Sequence, residues 1–410
     1  MPEYVERREF DHPRVPVPPL PVDVGPRLLT LLEHTNLTRF FCDRLLVGKA
    51  VFSLLSKIIK HSPELQELHI RICYSTTHIR SLNSNVLNPN RLTMFNLRSV
   101  SLDLSRYPDR NKTPSLYPEI VDFLIQSCPS IVDLRLLTFR LRLKCNISRF
   151  LLHGNWPKLA RLTLRGAGFY SEGLSDPEKT LIMHQFLARH PTIKCLSIGE
   201  GDWVIQDCIT EDSLPIMQSL YLLRILLPDL MAENIRHLSG EVVPASLPVI
   251  RLMTSLQSCV VTRQLDLPYS DLLDALPFSV ERIDLKFDGL YDDSYDENRD
   301  TQDDFMLYVP MVDSEWESIL EHLENLTHIG SAFTTVDVKT RAGMKMMLKL
   351  CSVLPGLLYV QVATGWIMME GIREESREYG LSSGTSIDSA RWGDIFNGIG
   401  LVKDDKIILL

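Results

Sequence analysis

One short motif recurs along the chain and constrains its fold more than any other feature. It reads proline, any residue, then three aliphatic residues (φ) spaced as φ-x-x-φ-x-φ. The aliphatic spacing alone is common by chance, but a proline two places earlier makes it rare, so six copies indicate an internal repeat. The copies are SPELQELHI (62–70), CPSIVDLRL (128–136), WPKLARLTL (156–164), HPTIKCLSI (190–198), LPIMQSLYL (214–222) and LPGLLYVQV (354–362).

Looser copies lie between these six, either without the proline or with it one place off. Consecutive copies are then 18 to 46 residues apart, with a mean near thirty. This is the period of a leucine-rich repeat with irregular insertions. The looser copies are Leu37-Phe40-Cys42, Leu97-Val100-Leu102, Leu256-Cys259-Val261, Val280-Ile283-Leu285, Leu326-Ile329-Ser331 and the weaker Ile235-Leu238-Gly240.

A helical pattern precedes several copies, so the repeating unit is helix, proline, strand. The patterns are carried by Phe52, Leu55 and Ile59, by Ile120, Phe123 and Leu124, by Met183, Phe186 and Leu187, and by Ile319 and Leu323. Proline cannot continue the helical hydrogen-bond ladder, and the residues after it enter a strand. A single unit cannot bury its own apolar side, so units stack. The sequence therefore predicts an α/β fold: a leucine-rich-repeat solenoid with a parallel sheet on the concave face and helices on the convex face.

The prediction is specific for six strands. They are expected side by side, parallel and in chain order, near residues 66–71, 132–137, 160–165, 194–198, 218–222 and 358–362.

Over residues 37–365 the sequence resembles the irregular repeat arrays of fungal F-box/leucine-rich-repeat proteins, which use motifs such as CPSIVDLRL and SPELQELHI at each strand. The resemblance implies that the array is the substrate-recognition part of a Skp-cullin-F-box ubiquitin ligase, with an F-box ahead of it that binds the Skp adaptor. The sequence departs from the consensus L-x-x-L-x-L-x-x-N/C at its last position, where only Cys73 fits.

Residues 20–60 support two interpretations. Leu20-Pro21, Asp23-Val24, Leu28-Leu29, Leu32, Leu37 and Phe40 have the spacing of the start of an F-box. Against it, Pro26 falls inside the first helix of such a domain, the V-C-x-x-W end is missing, and LLTLLEHTNLTRFFCD (28–43) repeats the helix-then-strand pattern. The first interpretation makes residues 37–44 a helix, and the second makes Leu37, Phe40 and Cys42 a strand beside residues 65–70. We favour the second.

The chain divides into a proline-rich extended leader (1–26), the array (27–370) and a C-terminal cap or tail (371–410). The leader contains PVPPLP (16–21), which an SH3 or WW domain could bind, although a poorly packed leader explains it more simply. Residues 288–313 form an acidic insertion. It lacks the spacing of an EF-hand loop, so we interpret it as solvated.

Composition excludes several classes of function. The formal net charge is −9, which gives no general affinity for nucleic acid or an anionic membrane. Eight scattered cysteines form neither a disulfide framework nor a zinc site. The charged N-terminus is unlike a secretory signal. The uncharged stretch 350–369 contains Pro355-Gly356 and is predicted to be a helix end, a turn and a buried strand. These features favour a cytoplasmic or nuclear protein.

No catalytic motif is recognisable. VGKAVFS (47–53) lacks the upstream glycine and the following Ser or Thr of a phosphate loop, and His61 and His190 are placed to cap helix ends. We therefore expect a protein that is not an enzyme, holds no cofactor or metal, and binds another protein. The alternatives are a regulatory inhibitor or scaffold array unrelated to ubiquitin, and an enzyme whose site has no sequence signature.

The partner is expected on the concave face, where the strand residues between the aliphatic positions point. The first half of the array puts charged and aromatic residues there, and the later strands mostly small or neutral ones. Arginine and tyrosine are frequent interface anchors, so the first half is the predicted site. The candidate partner-binding residues are Phe41, His69, Arg71, Arg135, Arg161, Arg165 and Tyr221.

Overall fold

The structure is a computed structural model of the 410-residue chain. It describes residues 30–31, 34–47, 55, 57–73, 94–103, 118–137, 145–146, 148–165, 169–170, 175–199, 208–209, 214–225, 229–263, 267–286, 320–333, 340–362, 365–379 and 401–402. The chain forms two compact units that divide between residues 223 and 224, at the last residue of the strand Ser219–Arg224, which is described with the first unit. The leader, the acidic insertion and most of the C-terminal tail lie outside the described residues.

The first unit has a parallel sheet whose strands follow chain order. Its strands are β1 (Arg39–Val47), β2 (Glu67–Cys73), β3 (Ser99–Asp103), β4 (Asp133–Leu137), β6 (Arg161–Arg165), β8 (Cys195–Ile198) and β9 (Ser219–Arg224), and each pairs in parallel with the next. The short strands β5 (Cys145–Asn146) and β7 (Phe169–Tyr170) form a separate parallel pair.

The second unit also has a parallel sheet, which ends with two antiparallel strands. Strands β10 (His237–Val242), β11 (Ser258–Arg263), β12 (Arg282–Lys286), β13 (His328–Phe333) and β14 (Tyr359–Val362) pair in parallel in chain order. Strands β15 (Gly365–Met368) and β16 (Leu401–Val402) then add in antiparallel orientation.

Helices occupy several of the connections between strands. The first unit contains α1 (Pro118–Ser127), α2 (Ser148–His153) and α3 (Asp176–Ala188). The second contains α4 (Leu247–Arg251), α5 (Tyr269–Ala275), α6 (Arg341–Val353) and α7 (Met369–Tyr379), with 3-10 helices at Asp229–Asn234 and Pro244–Ser246. The helical patterns at 120–124 and 183–187 lie in α1 and α3, whereas residue 320 is helical and Leu323 follows a turn.

The proline of the motif occupies the second position of a β-turn between helix and strand. In five of the six proline copies the turn closes with a hydrogen bond from the N–H of the first aliphatic residue to the carbonyl three residues earlier, as from Leu65 to Ser62 (3.1 Å) and from Leu159 to Trp156 (2.9 Å). Proline favours this position because its ring fixes φ near the value that the turn needs. Leu97 and Leu256 close the same turn without proline, so the looser copies are equivalent to the strict ones.

A repeated backbone contact joins neighbouring motifs at the start of each strand. One carbonyl accepts two consecutive N–H groups of the next copy: the Val132 carbonyl accepts from Ala160 (2.8 Å) and Arg161 (3.0 Å). In the second unit the Gln257 carbonyl accepts from Glu281 (2.8 Å) and Arg282 (3.0 Å). Within each unit, successive motifs are therefore stacked in the same register.

Aliphatic positions of the motif form the core. Leu65, Leu97, Ile131, Leu159, Ile193, Met217, Ile235, Leu256, Val280, Leu326 and Leu357, the first aliphatic residues, are all buried. Within strands, buried residues alternate with half-buried ones, as in β6 and β8. The α/β class and all six predicted parallel strands are confirmed, and the structure also shows the strands predicted from the looser copies.

The first unit buries an aromatic cluster, composed of Phe150, Trp156, Phe186 and His190. The Phe150 and Trp156 rings are 5.0 Å apart, and those of Phe186 and His190 are 4.3 Å apart. His190 Nδ1 donates to the Phe186 carbonyl (2.6 Å), which confirms that this histidine caps a helix end, and Nε2 accepts from the Trp156 backbone N–H (3.0 Å). These two bonds fix the neutral tautomer with its proton on Nδ1.

Strand β1 lies where the F-box interpretation requires a helix. Phe40 pairs with Leu68 and Cys42 with Ile70 in the parallel register that the repeat interpretation predicts. Of the described residues between 350 and 369, those up to Val353 end α6, and a turn, β14, β15 and the first residue of α7 follow. Within the described part of the chain, no helix is long and apolar enough to cross a membrane.

Candidate protein-binding surface

One face of the sheet in the first unit packs against the core, and the other has side chains that are partly accessible to solvent. We call it the open face and define it by the strand residues that alternate with the buried aliphatic ones. In register, one row of it runs through Phe41, His69, Ser101, Arg135, Thr163, Ser197 and Tyr221. Neighbouring strands are about 4.8 Å apart, so adjacent members of the row can touch.

All seven predicted partner-binding residues belong to strands of this sheet. Phe41 lies in β1, His69 and Arg71 in β2, Arg135 in β4, Arg161 and Arg165 in β6, and Tyr221 in β9. The side chain of Arg71 is outside the described part of the structure. The other six form three groups, at one end of the row, in its middle and at its other end.

At the β1 end, aromatic rings form the accessible surface. The rings of Phe41 and His69 stack with centroids 6.0 Å apart, and Phe41 is 58% exposed. Beside them Nε of Arg39 lies 3.3 Å from Oε1 of Glu67, an ion pair that neutralises both charges at the surface. An exposed aromatic ring on a strand face is a typical protein contact.

In the middle of the sheet, two arginines share one carboxylate. Asp133 accepts from Arg135 through Nε (3.2 Å) and Nη2 (3.0 Å), and its Oδ2 also lies 3.0 Å from Nη2 of Arg161. The side chain of Asp133 is only 4% exposed, against 33% for Arg135 and 43% for Arg161. The carboxylate is thus covered by the two guanidinium groups that it orients.

The alternation along β4 puts Asp133 on the open face, where a charged side chain is expected to reach solvent. The structure buries this carboxylate beneath Arg135 and Arg161, because an isolated charge can leave water only when it is paired and hydrogen-bonded. A signal was available: residues two apart on a strand share a face, and Asp133 and Arg161 occupy the same position of successive motifs. Asp103, also buried, went unnoticed.

At the β9 end, Arg165 is held in place by two neighbours. Its Nε donates to Oγ of Ser197 (2.7 Å), and its guanidinium carbon lies 4.0 Å from the centroid of the Tyr221 ring. A guanidinium over an aromatic face gains a cation–π contribution. The two residues most typical of interface anchors therefore form one ordered pair.

The open positions of the second unit are poorer in charge. Ser239, Val260, Gly330 and Gln361 lie at the places that His69, Arg135 and Tyr221 occupy in the first unit, and Asp284 is the charged exception in that row. Ser331 has a φ of 53°, and its N–H donates to Oε1 of Gln361 (3.0 Å). That bond ties the irregular end of β13 to β14.

Three of the described thiols are unreactive at neutral pH. Burial raises the pKa of the Cys128 thiol, and burial followed by the charge of Asp284 raises the pKa of Cys259 to about 12. The pKa of Cys351 is raised to about 11, again by burial. These three thiols stay protonated at neutral pH and are poor nucleophiles. In the described ranges no three His, Cys, Asp or Glu residues form a group that could hold a metal ion.

Compared with protein-family models and with curated proteins, the sequence matches none.

Proposed function

We propose that this chain is a leucine-rich-repeat protein, without a reaction of its own, that binds a protein partner through the open face of residues 39–224. The observation that carries the proposal is the series of ordered arginine and aromatic side chains along the sheet, from Phe41 to Tyr221. Such residues contribute most of the binding energy where they are held in place and become desolvated. The proposal includes the cytoplasmic or nuclear location that the scattered cysteines favour.

Repeat architecture is supported by the shared backbone of the motifs. Most copies share a β-turn, one carbonyl that accepts two N–H groups, and a short parallel strand beside the next copy. Units that contact mainly their neighbours, at a period near thirty residues, are typical of a solenoid. In such an array the open face is the concave, partner-binding side.

Two biological roles fit a binding array of this kind. The family resemblance suggests the recognition part of a Skp-cullin-F-box ligase, which requires attachment to the Skp adaptor. The strand Arg39–Val47 favours the alternative, a scaffold or inhibitor array, because the same residues cannot also form an F-box helix. We therefore propose that the chain binds its partner as a repeat array, and that residues 37–47 belong to this array and not to an adaptor-binding domain.

Affinity purification of the full chain from its native cells, followed by binding to the purified partner, tests the surface. We expect Phe41→Ala and Tyr221→Ala each to weaken binding about tenfold. The matched control is Phe95→Ala, an equally exposed ring that lies in a turn of the first unit. Equal weakening by all three variants would contradict the proposed surface.

The adaptor question has its own test. Purified full-length chain is mixed with the Skp adaptor, and the complex is measured by size-exclusion chromatography. We expect no complex. Stable binding that disappears on deletion of residues 1–44, with the melting temperature unchanged, would restore the F-box interpretation.

A further inference from the structure

The open face of the first unit is layered by charge. Two of its acidic residues, Asp103 and Asp133, are buried, whereas the side chains of Arg135, Arg161 and Arg165 reach solvent. An approaching molecule therefore meets guanidinium groups first. The described acidic residue at the surface of this face, Glu67, is paired with Arg39.

The cluster around Asp133 keeps an excess of positive charge. One carboxylate binds two guanidinium groups, so the group carries one net positive charge. Among the described residues, Arg161 bonds to Asp133 through Nη2 and makes no other polar contact. Arg165 adds a second cationic point on the same strand. This surface is opposite in sign to the chain, whose formal net charge is −9.

From this layering we infer that the partner binds through an acidic segment, with one carboxylate at Arg135 and Arg161 and another at Arg165. This inference rests on the proposed function and names the chemistry of its partner. Arg161 and Arg165 are four residues apart on a strand, which places their Cα atoms about 13 Å apart. An extended segment with acidic residues four positions apart matches that separation.

The arginines are already oriented, which favours binding. Asp133 holds Arg135 and Arg161, and Ser197 and Tyr221 hold Arg165. Side chains ordered before binding lose less conformational entropy when the partner arrives. Guanidinium groups also bind carboxylates through paired hydrogen bonds, which a lysine cannot reproduce.

Nucleic acid fits this surface less well. Proteins that bind nucleic acid through the phosphate backbone commonly make about 6–10 phosphate contacts. The described open face offers three arginines outside the Arg39–Glu67 pair, and the net charge of the chain repels a polyanion at long range. A short acidic segment needs only two or three cationic contacts.

Fluorescence anisotropy with the full chain tests the inference. The probe is a labelled peptide of ten glutamates, and ten glutamines serve as its uncharged control. We expect the acidic peptide alone to bind, with an affinity that falls as NaCl rises. Arg161→Gln and Arg165→Gln should each weaken binding at least fivefold, and Arg165→Lys should retain part of it.

The matched control is Arg149→Gln, which removes an exposed arginine of α2 that pairs with Asp122. Binding should stay within about twofold of the wild type. Equal weakening by the Arg149 variant, equal binding of the glutamine peptide, no binding of the glutamate peptide, or tighter binding of a ten-nucleotide oligoadenylate overturns the inference. If the purified partner tolerates Arg161→Gln and Arg165→Gln but not Tyr221→Ala, the proposed surface stands and its acidic specificity is wrong.

Discussion

The two units of the chain use the same backbone device and present different surfaces. In both, a β-turn leads into a strand whose first two N–H groups share one carbonyl of the preceding motif. The open positions of the first unit hold Arg135, Arg161, Arg165 and Tyr221, whereas Val260 and Gly330 lie at such positions in the second. The buried aliphatic residues therefore specify the repeat, and the open positions are left to vary with function.

The largest expected effect tests whether the buried positions are equivalent in the two units. Leu162 in β6 and Ile283 in β12 occupy the same motif position and are both buried. Leu162→Asp and Ile283→Asp would each bury an unpaired carboxylate, and we expect each to lower the free energy of unfolding by about 3–5 kcal/mol. Urea unfolding followed by circular dichroism measures this loss.

Thr163→Asp is the control for this comparison. Thr163 lies one residue further along β6 and points to the open face, where an added carboxylate stays hydrated and near Arg135. We expect a change within about 0.5 kcal/mol. A loss as large as that of Leu162→Asp would refute the assignment of buried and open positions.

A smaller effect is expected where the first unit has its aromatic cluster. A Cβ at Gly154 would lie 2.5 Å from a ring carbon of Trp156 and 2.6 Å from the Phe150 carbonyl oxygen. Gly154→Ala should therefore cost about 1–3 kcal/mol of unfolding free energy through overpacking. In the second unit Gly371→Ala is the control, because no atom beyond the neighbouring backbone of its own helix lies within 4 Å of the added methyl group and alanine favours the helix. In thermal unfolding we expect a lower melting temperature for Gly154→Ala and a higher one for Gly371→Ala.

The smallest expected effect is a loss of stability at acidic pH that depends on two histidines, one in each unit. Burial, opposed by the hydrogen bond to Phe186 and aided by the charge of Arg189, lowers the pKa of His190. Burial and then Arg282 lower the pKa of His328 in the second unit. A histidine with a folded-state pKa below 6.5 binds protons more readily when unfolded, so stability is lost as the pH falls below about 6.5.

We expect His190 to contribute more of this pH dependence than His328. Protonation of His190 breaks its bond from the Trp156 N–H inside the core, whereas His328 is half-buried. Chemical unfolding of His190→Gln and His328→Gln at pH 7 and pH 5 measures the difference. A pH slope unchanged in His190→Gln would show that this histidine does not titrate on unfolding.

The sequence predicted the strands because their signal is local and repeated. Proline followed by aliphatic residues at fixed spacing reports both the turn and the burial of residues such as Leu65 and Leu159. Even the weakest copy, at Ile235, proved to precede a strand. Predictions of this kind succeed because one motif contains all the residues that they depend on.

Features that depend on several motifs were harder to predict. The burial of Asp133 requires an arginine from the next strand, and the aromatic cluster joins residues from two helices and a turn. The division near residue 224 has no composition change to mark it. In each case the deciding contact is between distant parts of the chain, for which a pattern in one segment gives no information.

The pairing of strands in chain order affects how the protein can fold during translation. Every strand of the first unit bonds to the strand made just before or after it in the sheet, and all of these lie before residue 225. Few long loops have to close before contacts form, which favours fast folding. The backbone hydrogen bonds that join β1 to β9 can thus form on the ribosome while the second unit is still being translated, so most of these aliphatic strands need not wait exposed for the rest of the chain.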